Sequence, residues 1–224
     1  MTKRVLAVFD FDRTITNSGS LTPWLWRFVR RHPGRLVGLP VMLLTGMAYK
    51  LKLLSRKQMK ETMLKLMVRG LPAAEIAEVS DAFIADWIAG HCRPGALAVI
   101  ARHRANGDRL MMATASNDVY MTEMAHRLGF DHLVCTASAR APDGGLTGGI
   151  PGPNCYGADK LDMIKAALDN IAADWEAVVA YSDHHTDLPM LAWATRGVAV
   201  NPNRKLRKLA TTEGFEVVDW GRPG

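Results

Sequence analysis

Val5-Leu6-Ala7-Val8-Phe9-Asp10-Phe11-Asp12-Arg13-Thr14 opens the chain with five consecutive apolar residues that run straight into two carboxylates. An apolar run without alternation marks a strand buried on both faces, as in a parallel sheet covered by helices. The pattern predicts a strand over 3–10 that delivers Asp10 and Asp12 to its carboxyl end. Open parallel sheets bind their ligands at that end.

From Leu21 the period changes. Leu21, Trp24, Leu25, Phe28 and Val29 recur at spacings of three and four until Pro33-Gly34, which predicts a helix. Residues 36–54 form a second apolar segment, interrupted by Pro40 and Gly46. A third helix opens at the cap candidate Ser55, carries Met59, Met63, Leu66 and Met67, and stops at Gly70-Leu71-Pro72. Its methionines are most simply helix core. A fourth covers 73–89 with Ile76, Val79, Phe83, Ile84 and Trp87 on one face. No strand is expected over 17–92.

Beyond Arg93-Pro94-Gly95 helices alternate with short β runs. Helices are expected over 96–106, 118–128, 159–171, 188–194 and 204–210, and strands over 109–113, 133–136, 177–181, 198–200 and 215–218. Asp143-Gly144-Gly145 reads as a hairpin turn. Such alternation implies right-handed βαβ units. The expected fold class is α/β: a Rossmann-like core with a mainly parallel sheet, made of 1–16 and 93–224, and an all-helical insertion at 17–92.

Composition narrows the alternatives. With 224 residues, 48% hydrophobic and 22% charged, the chain has a folded globular composition, and 11 Pro and 19 Gly exclude a collagen-like one. The longest uncharged apolar run, 36–49, is shorter than the roughly 20 residues of a membrane-crossing helix. The start, Met1-Thr2-Lys3-Arg4-Val5, lacks the pattern of a signal peptide, so a cytoplasmic location is expected. Cys92, Cys135 and Cys155 are odd in number and far apart, which favours buried free thiols over disulfides or a zinc site. Net charge is +6, yet 17–70 holds eleven basic residues and a single acid, Glu61. That asymmetry suggests a module with its own anionic partner, beside the plainer reading of solvated basic helix faces. Arg204, Lys205, Arg207 and Lys208 are most simply such a face.

Four segments deliver polar residues to one edge of the expected sheet: Asp10 to Thr14, Thr114-Ala115-Ser116-Asn117, Lys160, and Ser182-Asp183-His184-His185-Thr186-Asp187. Acids gathered there repel one another unless a cation neutralises them, and an oxygen-only donor set suits Mg²⁺. A lysine and a threonine beside the metal supply what a phosphoryl group needs, and a carboxylate can attack phosphorus. Ser116 is expected to cap the following helix. His184 and His185 are expected to pack or to edge the substrate, with no metal role.

Asp10-x-Asp12-x-Thr14, Thr114, Lys160 and Ser182-Asp183-x-x-x-Asp187 resemble, in order, the four motifs of the haloacid dehalogenase superfamily. The insertion is similar to the C1-type cap of its subfamily IB, the phosphoserine-phosphatase-like branch. The resemblance implies a Mg²⁺-dependent phosphatase with Asp10 as nucleophile and Asp12 as general acid, then base. Thr14 would brace the loop, with Ala115 and Ser182 supporting. Thr114, Lys160 and the backbone amide of Arg13 would hold the phosphoryl oxygens, and Mg²⁺ would sit between Asp10, the main-chain carbonyl of Asp12 and Asp183. Asp187 would support the metal or orient Lys160. Arg13 departs from the pattern, standing where many relatives carry Gly or another small residue.

The expected substrate is a small phosphate ester of the phosphoserine or histidinol phosphate kind. A phosphoserine specialist would need a cap arginine and a cap glutamate, and Glu61 is the one acid available in 17–70. Trp24, Trp26 and Phe28 beside Arg27, Arg30 and Arg31, and the apolar 36–49 run followed by Lys50 and Lys52, fit either a buried helix with basic rims or a segment at an anionic membrane. The second option corresponds to a lipid phosphomonoesterase peripheral to the inner membrane, for instance on phosphatidylglycerol phosphate. A non-catalytic anion- or nucleic-acid-binding module is a third alternative, although no nucleic-acid motif is visible.

Overall fold

The computed structural model describes residues 5–171 and 175–221, so Lys3 and Arg4, where the first strand was expected to begin, lie outside the described residues. Six strands, β1 (Val5–Phe9), β2 (Arg109–Asn117), β3 (His132–Thr136), β4 (Ala177–Ser182), β5 (Arg196–Val200) and β6 (Glu216–Val218), form one sheet in the order β3-β2-β1-β4-β5-β6. Every pairing is parallel. The chain builds outward from β1 in one direction through β2 and β3, and in the other through β4, β5 and β6. The carboxyl end of β1 is therefore the switch point at which such sheets leave a crevice.

Leu6, Ala7, Val8 and Phe9 are all fully buried, as the unbroken apolar run requires. Successive residues face opposite sides. Leu6 and Val8 join an apolar cluster with Ile164, Met190, Leu191 and Leu206, from helices α7 (Ala158–Asp169), α8 (Leu188–Trp193) and α9 (Arg204–Glu213). Ala7 and Phe9 join a second cluster on the other face, which includes Ala96 and Ile100 of α5 (Pro94–Ala105) and Tyr120, Met121 and Met124 of α6 (Asp118–Arg127).

Four helices lie between β1 and α5: α1 (Leu21–Arg31), α2 (Leu39–Lys50), α3 (Arg56–Met67) and α4 (Ala73–His91), with a short 3₁₀ turn Pro33–Gly38 ahead of α2. Pro40 and Gly46 do not interrupt α2. Pro40 sits in its first turn, where an amide has no intrahelical acceptor to lose. α3 starts as expected: Ser55 and Gln58 form a reciprocal capping box. Trp24, Phe28, Leu64, Phe83 and Trp87 belong to the same apolar cluster as Phe9 and Tyr120, with the Trp24 and Tyr120 rings 5.0 Å apart.

The basic surplus of 17–70 is partly neutralised within the molecule. Arg27 pairs with Asp86 at 2.7 Å and Arg31 with Glu78 at 2.8 Å, both acids of α4. Arg35 donates to the carbonyls of Leu66 and Arg69 at 3.0 Å each, at the carboxyl end of α3. The hairpin turn expected at Asp143-Gly144-Gly145 agrees with an antiparallel bridge between Arg140 and Leu146 and an Ala141 N–H to Gly145 carbonyl bond of 2.8 Å. Gly148 there has φ +82, and a Cβ on it would lie 2.7 Å from Lys65 Cα, so the hairpin packs directly on α3.

Candidate active site

Asp10 continues the β1 ladder by one bond, its N–H donating to the Tyr181 carbonyl at 2.9 Å. The chain then turns sharply over Phe11–Ile15, with Arg13 at φ 68. A non-glycine residue there carries about 1 kcal/mol or more of strain, a physical reason for glycine at this position. The Arg13 N–H donates to Thr16 Oγ1 at 3.2 Å. The amide expected to face phosphate is thus engaged inside the turn. The exposed Arg13 residue still lines the cavity.

Thr14 Oγ1 lies 2.9 Å from Asp10 Oδ2 and 3.3 Å from Asp183 Oδ1, and accepts from the Asp183 N–H at 3.0 Å. It holds the two carboxylates at one spot. Lys160, in the first turn of α7 and buried, donates to Asp10 Oδ1 and Asp187 Oδ2, each at 2.7 Å. Asp187 Oδ2 also accepts from Ser182 Oγ at 2.7 Å, while its Oδ1 is buried without a hydrogen-bond partner. Asp187 and Ser182 therefore fix the direction of the lysine.

Burial raises Asp10 to about 6 even though Lys160 opposes the shift, and burial together with the charges of Asp10 and Asp187 raises Asp183 to about 7. Burial alone would lower Lys160, but Asp10 and Asp187 outweigh it and hold the ammonium above its usual range. These directions describe a pocket with more carboxylate than one ammonium can balance. Among the described residues no three His, Cys, Asp or Glu side chains form a metal cluster. Two carboxylates at one spot and a partnerless Asp187 oxygen nevertheless fit Mg²⁺, which takes its other ligands from carbonyl, water and phosphate oxygens.

The Asp12 side chain turns the other way. Its Oδ1 accepts from the Ser20 N–H and its Oδ2 from Ser116 Oγ, both at 2.6 Å. Ser116 Oγ is 3.2 Å from Ser20 Oγ, which is 3.0 Å from the Tyr120 hydroxyl, so a buried chain of hydroxyls ends on this carboxylate. The expectation that Ser116 caps α6 is therefore corrected. Asn117 occupies that position, without a side-chain cap bond, and the Ser116 hydroxyl is committed to Asp12. Buried Thr114 accepts from the Ser116 N–H at 3.1 Å.

A cavity of about 590 Å³ gathers Asp10, Asp12, Arg13, Thr114, Ala115, Lys160, Asp183 and Asp187 on its wall. Thr14 and Ser182, both fully buried, stand behind it and brace the residues that face it. α3 contributes Arg56, Met59, Lys60 and Met63 to the wall, with Tyr156 alongside. The buried stripe of α3 is Lys60, Leu64 and Met67; Met67 is core as expected, Met63 packs against the core while also lining the cavity, and Met59 lines the cavity.

Lys60 escaped the sequence reading. Its ammonium is buried among neutral acceptors: the Ala115 carbonyl, Asn154 Oδ1 at 2.5 Å and Thr136 Oγ1 at 3.4 Å. Burial, then the neighbouring Arg56, pushes it down to about 7. A lysine four residues before buried Leu64 on a helix was the available signal. Ser20 and Tyr120 left none, since each reads as an ordinary helix-proximal residue. His184 lines the cavity, with Nδ1 2.8 Å from Thr186 Oγ1, whereas His185 contacts Asn203 at 3.2 Å. All three cysteines are free thiols, with Cys92 and Cys155 buried and Cys135 partly so.

The family model for haloacid dehalogenase-like hydrolases matches residues 7–192. A Mycobacterium tuberculosis protein (strain ATCC 25618 / H37Rv) named a probable phosphatase is 29% identical over 225 residues, covering 98% of this chain and 77% of that protein. A crystal structure of a Bordetella pertussis Tohama I protein of unknown function aligns with TM-score 0.86 and 28% identity over 98% of this chain and 100% of that one. A substrate-bound phosphoserine phosphatase structure aligns with TM-score 0.66 over 97% of this chain and 94% of that one, at 16% identity, and so shares the fold. With a family match across most of its length, the chain belongs to the haloacid dehalogenase-like hydrolases and is a hydrolase of their phosphatase type.

Proposed function

We propose that the protein is a Mg²⁺-dependent phosphomonoesterase acting through a phosphoryl group carried on Asp10, with residues 17–92 serving as a cap over the site. The observation that carries this reading is Lys160, which bridges Asp10 and Asp187 in a cavity also lined by Asp12 and Thr114. A carboxylate oxygen of Asp10 attacks phosphorus, the ester P–O bond breaks, and the leaving oxygen takes the proton of Asp12. Water then attacks phosphorus, gives its proton to Asp12, and the bond to Asp10 breaks to release inorganic phosphate. Lys160 and Thr114 hold the equatorial oxygens through both steps. Asp10, the main-chain carbonyl of Asp12, and Asp183 would hold Mg²⁺, which when bound neutralises phosphoryl charge.

The substrate is a small organic phosphate of the size of phosphoserine or histidinol phosphate. All four acids of the cavity wall, Asp10, Asp12, Asp183 and Asp187, stand at the phosphate end. Glu61 accepts from the Ile150 N–H at 2.9 Å and does not line the cavity. With Arg56, the Tyr156 ring and two methionines also on the wall, the site suits a leaving group bearing a carboxylate or a ring better than one held by its ammonium.

Asp10→Asn tests the reading. It should abolish Mg²⁺-dependent turnover of p-nitrophenyl phosphate, and acid-quenched wild type, unlike the variant, should carry one extra phosphoryl mass. Retained turnover in a folded variant refutes the nucleophile assignment.

A further inference from the structure

Apolar side chains left in solvent are concentrated in one place. Among the described residues twelve large hydrophobics are exposed, and nine of them lie in residues 36–53: Leu36, Val37, Leu39, Val41, Leu43, Leu44, Met47, Leu51 and Leu53. Val37 is 83% exposed, Leu53 73% and Leu43 69%, so these side chains stand clear of the fold. At 3.6 residues per turn the exposed positions of α2 cover roughly 200° of its circumference, while Thr45 is its one buried residue. Scattered single leucines need no explanation, but a contiguous face of this kind marks an interaction surface.

Charge identifies the partner. Lys50 and Lys52 close the apolar stretch, both exposed, and neither ammonium meets an acidic side chain among the described residues. No Asp or Glu occurs between Asp12 and Glu61, and Glu61 is held by Ile150 on the hairpin. A second copy of this face would offer the lysines no counter-charge, since 13–60 holds no acid. A surface presenting hydrocarbon beneath a layer of anions takes both the leucines and the lysines. No described helix is long and apolar enough to cross a membrane, and α2, at twelve residues, is roughly 18 Å long. Too short to span, it can only rest along such a surface with its solvent-facing side against the lipid.

We propose that the α2 face, with Lys50 and Lys52, docks the protein on an anionic phospholipid surface. The docked segment leads directly through Leu53 and Ser55 into Arg56, a residue of the cavity wall. This proposal does not depend on which ester the site hydrolyses.

The test is co-sedimentation of the full chain with vesicles of pure phosphatidylcholine and of phosphatidylcholine with phosphatidylglycerol. Wild type should pellet with the anionic vesicles, be released by salt, and stay in solution with the neutral ones. Leu43→Ser/Leu44→Ser should weaken partition roughly a hundredfold or more, and Lys50→Ala/Lys52→Ala roughly thirtyfold. Both should keep wild-type turnover of p-nitrophenyl phosphate without vesicles, which separates loss of docking from loss of the active site. Should the leucine variant fail to fold, the lysine variant decides alone. Wild type remaining in the supernatant with anionic vesicles overturns the proposal, as does undiminished pelleting of either folded variant. A wild-type dimer in sedimentation equilibrium that Leu43→Ser/Leu44→Ser dissociates also overturns it, assigning the face to self-association.

Discussion

Replacing Lys160 by Met keeps most of the side-chain volume and removes the one cation that Asp10 and Asp187 share, each at 2.7 Å. Lys160 is 2% exposed, so water cannot take its place. Breaking a buried pair by deleting one partner costs roughly 3–5 kcal/mol, because the other partner keeps its charge without compensation. For a chain of 224 residues that corresponds to a melting-temperature loss of roughly 6–20 °C. The loss must depend on pH. In metal-free wild type Asp10 and Asp183 are raised from 3.8 to about 6 and about 7, so between those values the folded state binds more protons than the unfolded one. Stability therefore falls as pH rises through about 4 to 7 and levels off above. Without Lys160 the carboxylates titrate higher still, which makes the fall steeper and extends it upward. At pH 5, where protonation supplies the missing neutralisation, the gap between variant and wild type should narrow. Asp187→Asn in the Lys160→Met background should recover roughly 0.5–3 kcal/mol, since it removes one of the orphaned charges. Calorimetric melts with chelator at pH 8 and pH 5 measure all of this. A variant melting within roughly 2 °C of wild type at pH 8, or an equal deficit at both pH values, refutes the charge-balance argument.

Arg13→Gly should leave stability within about 1 kcal/mol, since relief at φ 68 offsets the added chain entropy, whereas Arg13→Val should cost about 1–2 kcal/mol; thermal melts compare the two. Lys60→Met should destabilise by roughly 1–3 kcal/mol through the donor lost to Ala115, Asn154 and Thr136. Because Lys60 is lowered from 10.5 to about 7, its burial penalty is complete below about 7 and fades as pH rises toward 10.5. Wild type should therefore gain stability relative to Lys60→Met across that window, as melts in a pH series would record. Ser116→Ala removes the donor to Asp12 Oδ2 and should lower kcat about tenfold, with a displaced limb in the pH–rate profile and little change in KM.

The sheet was legible because β1 is apolar without a break, and a strand of that kind has to be buried on both faces. The acids of the site were legible because Asp10, Asp12, Asp183 and Asp187 follow strand ends, where sequence position and location in space coincide. Lys60 and Tyr120 were not, since each reaches the site from a helix through a contact distant in sequence; Lys60 to Asn154 is separated by 94 positions. Ser116 was misread because a serine before a helix has two competing uses for its hydroxyl, and the nearby carboxylate won. Part of the charge of 17–70 is met within the molecule in a way the window hid, because Asp86 and Glu78, which pair with Arg27 and Arg31, lie just past it on α4.

Trp24, Phe83 and Trp87 share one hydrophobic body with Phe9 and Tyr120, and this limits how the molecule can be altered. Excising 17–92 would strip the covering from the outer side of α6 and its neighbours in that body, leaving an adhesive remnant rather than a smaller enzyme. Transplanting the corresponding segment from a relative would fail in the same way unless the matching surface of α6 travelled with it. Diversification of what this scaffold hydrolyses is thereby channelled toward point changes at Arg56, Met59 and Met63, which face the cavity without being buried in the shared core.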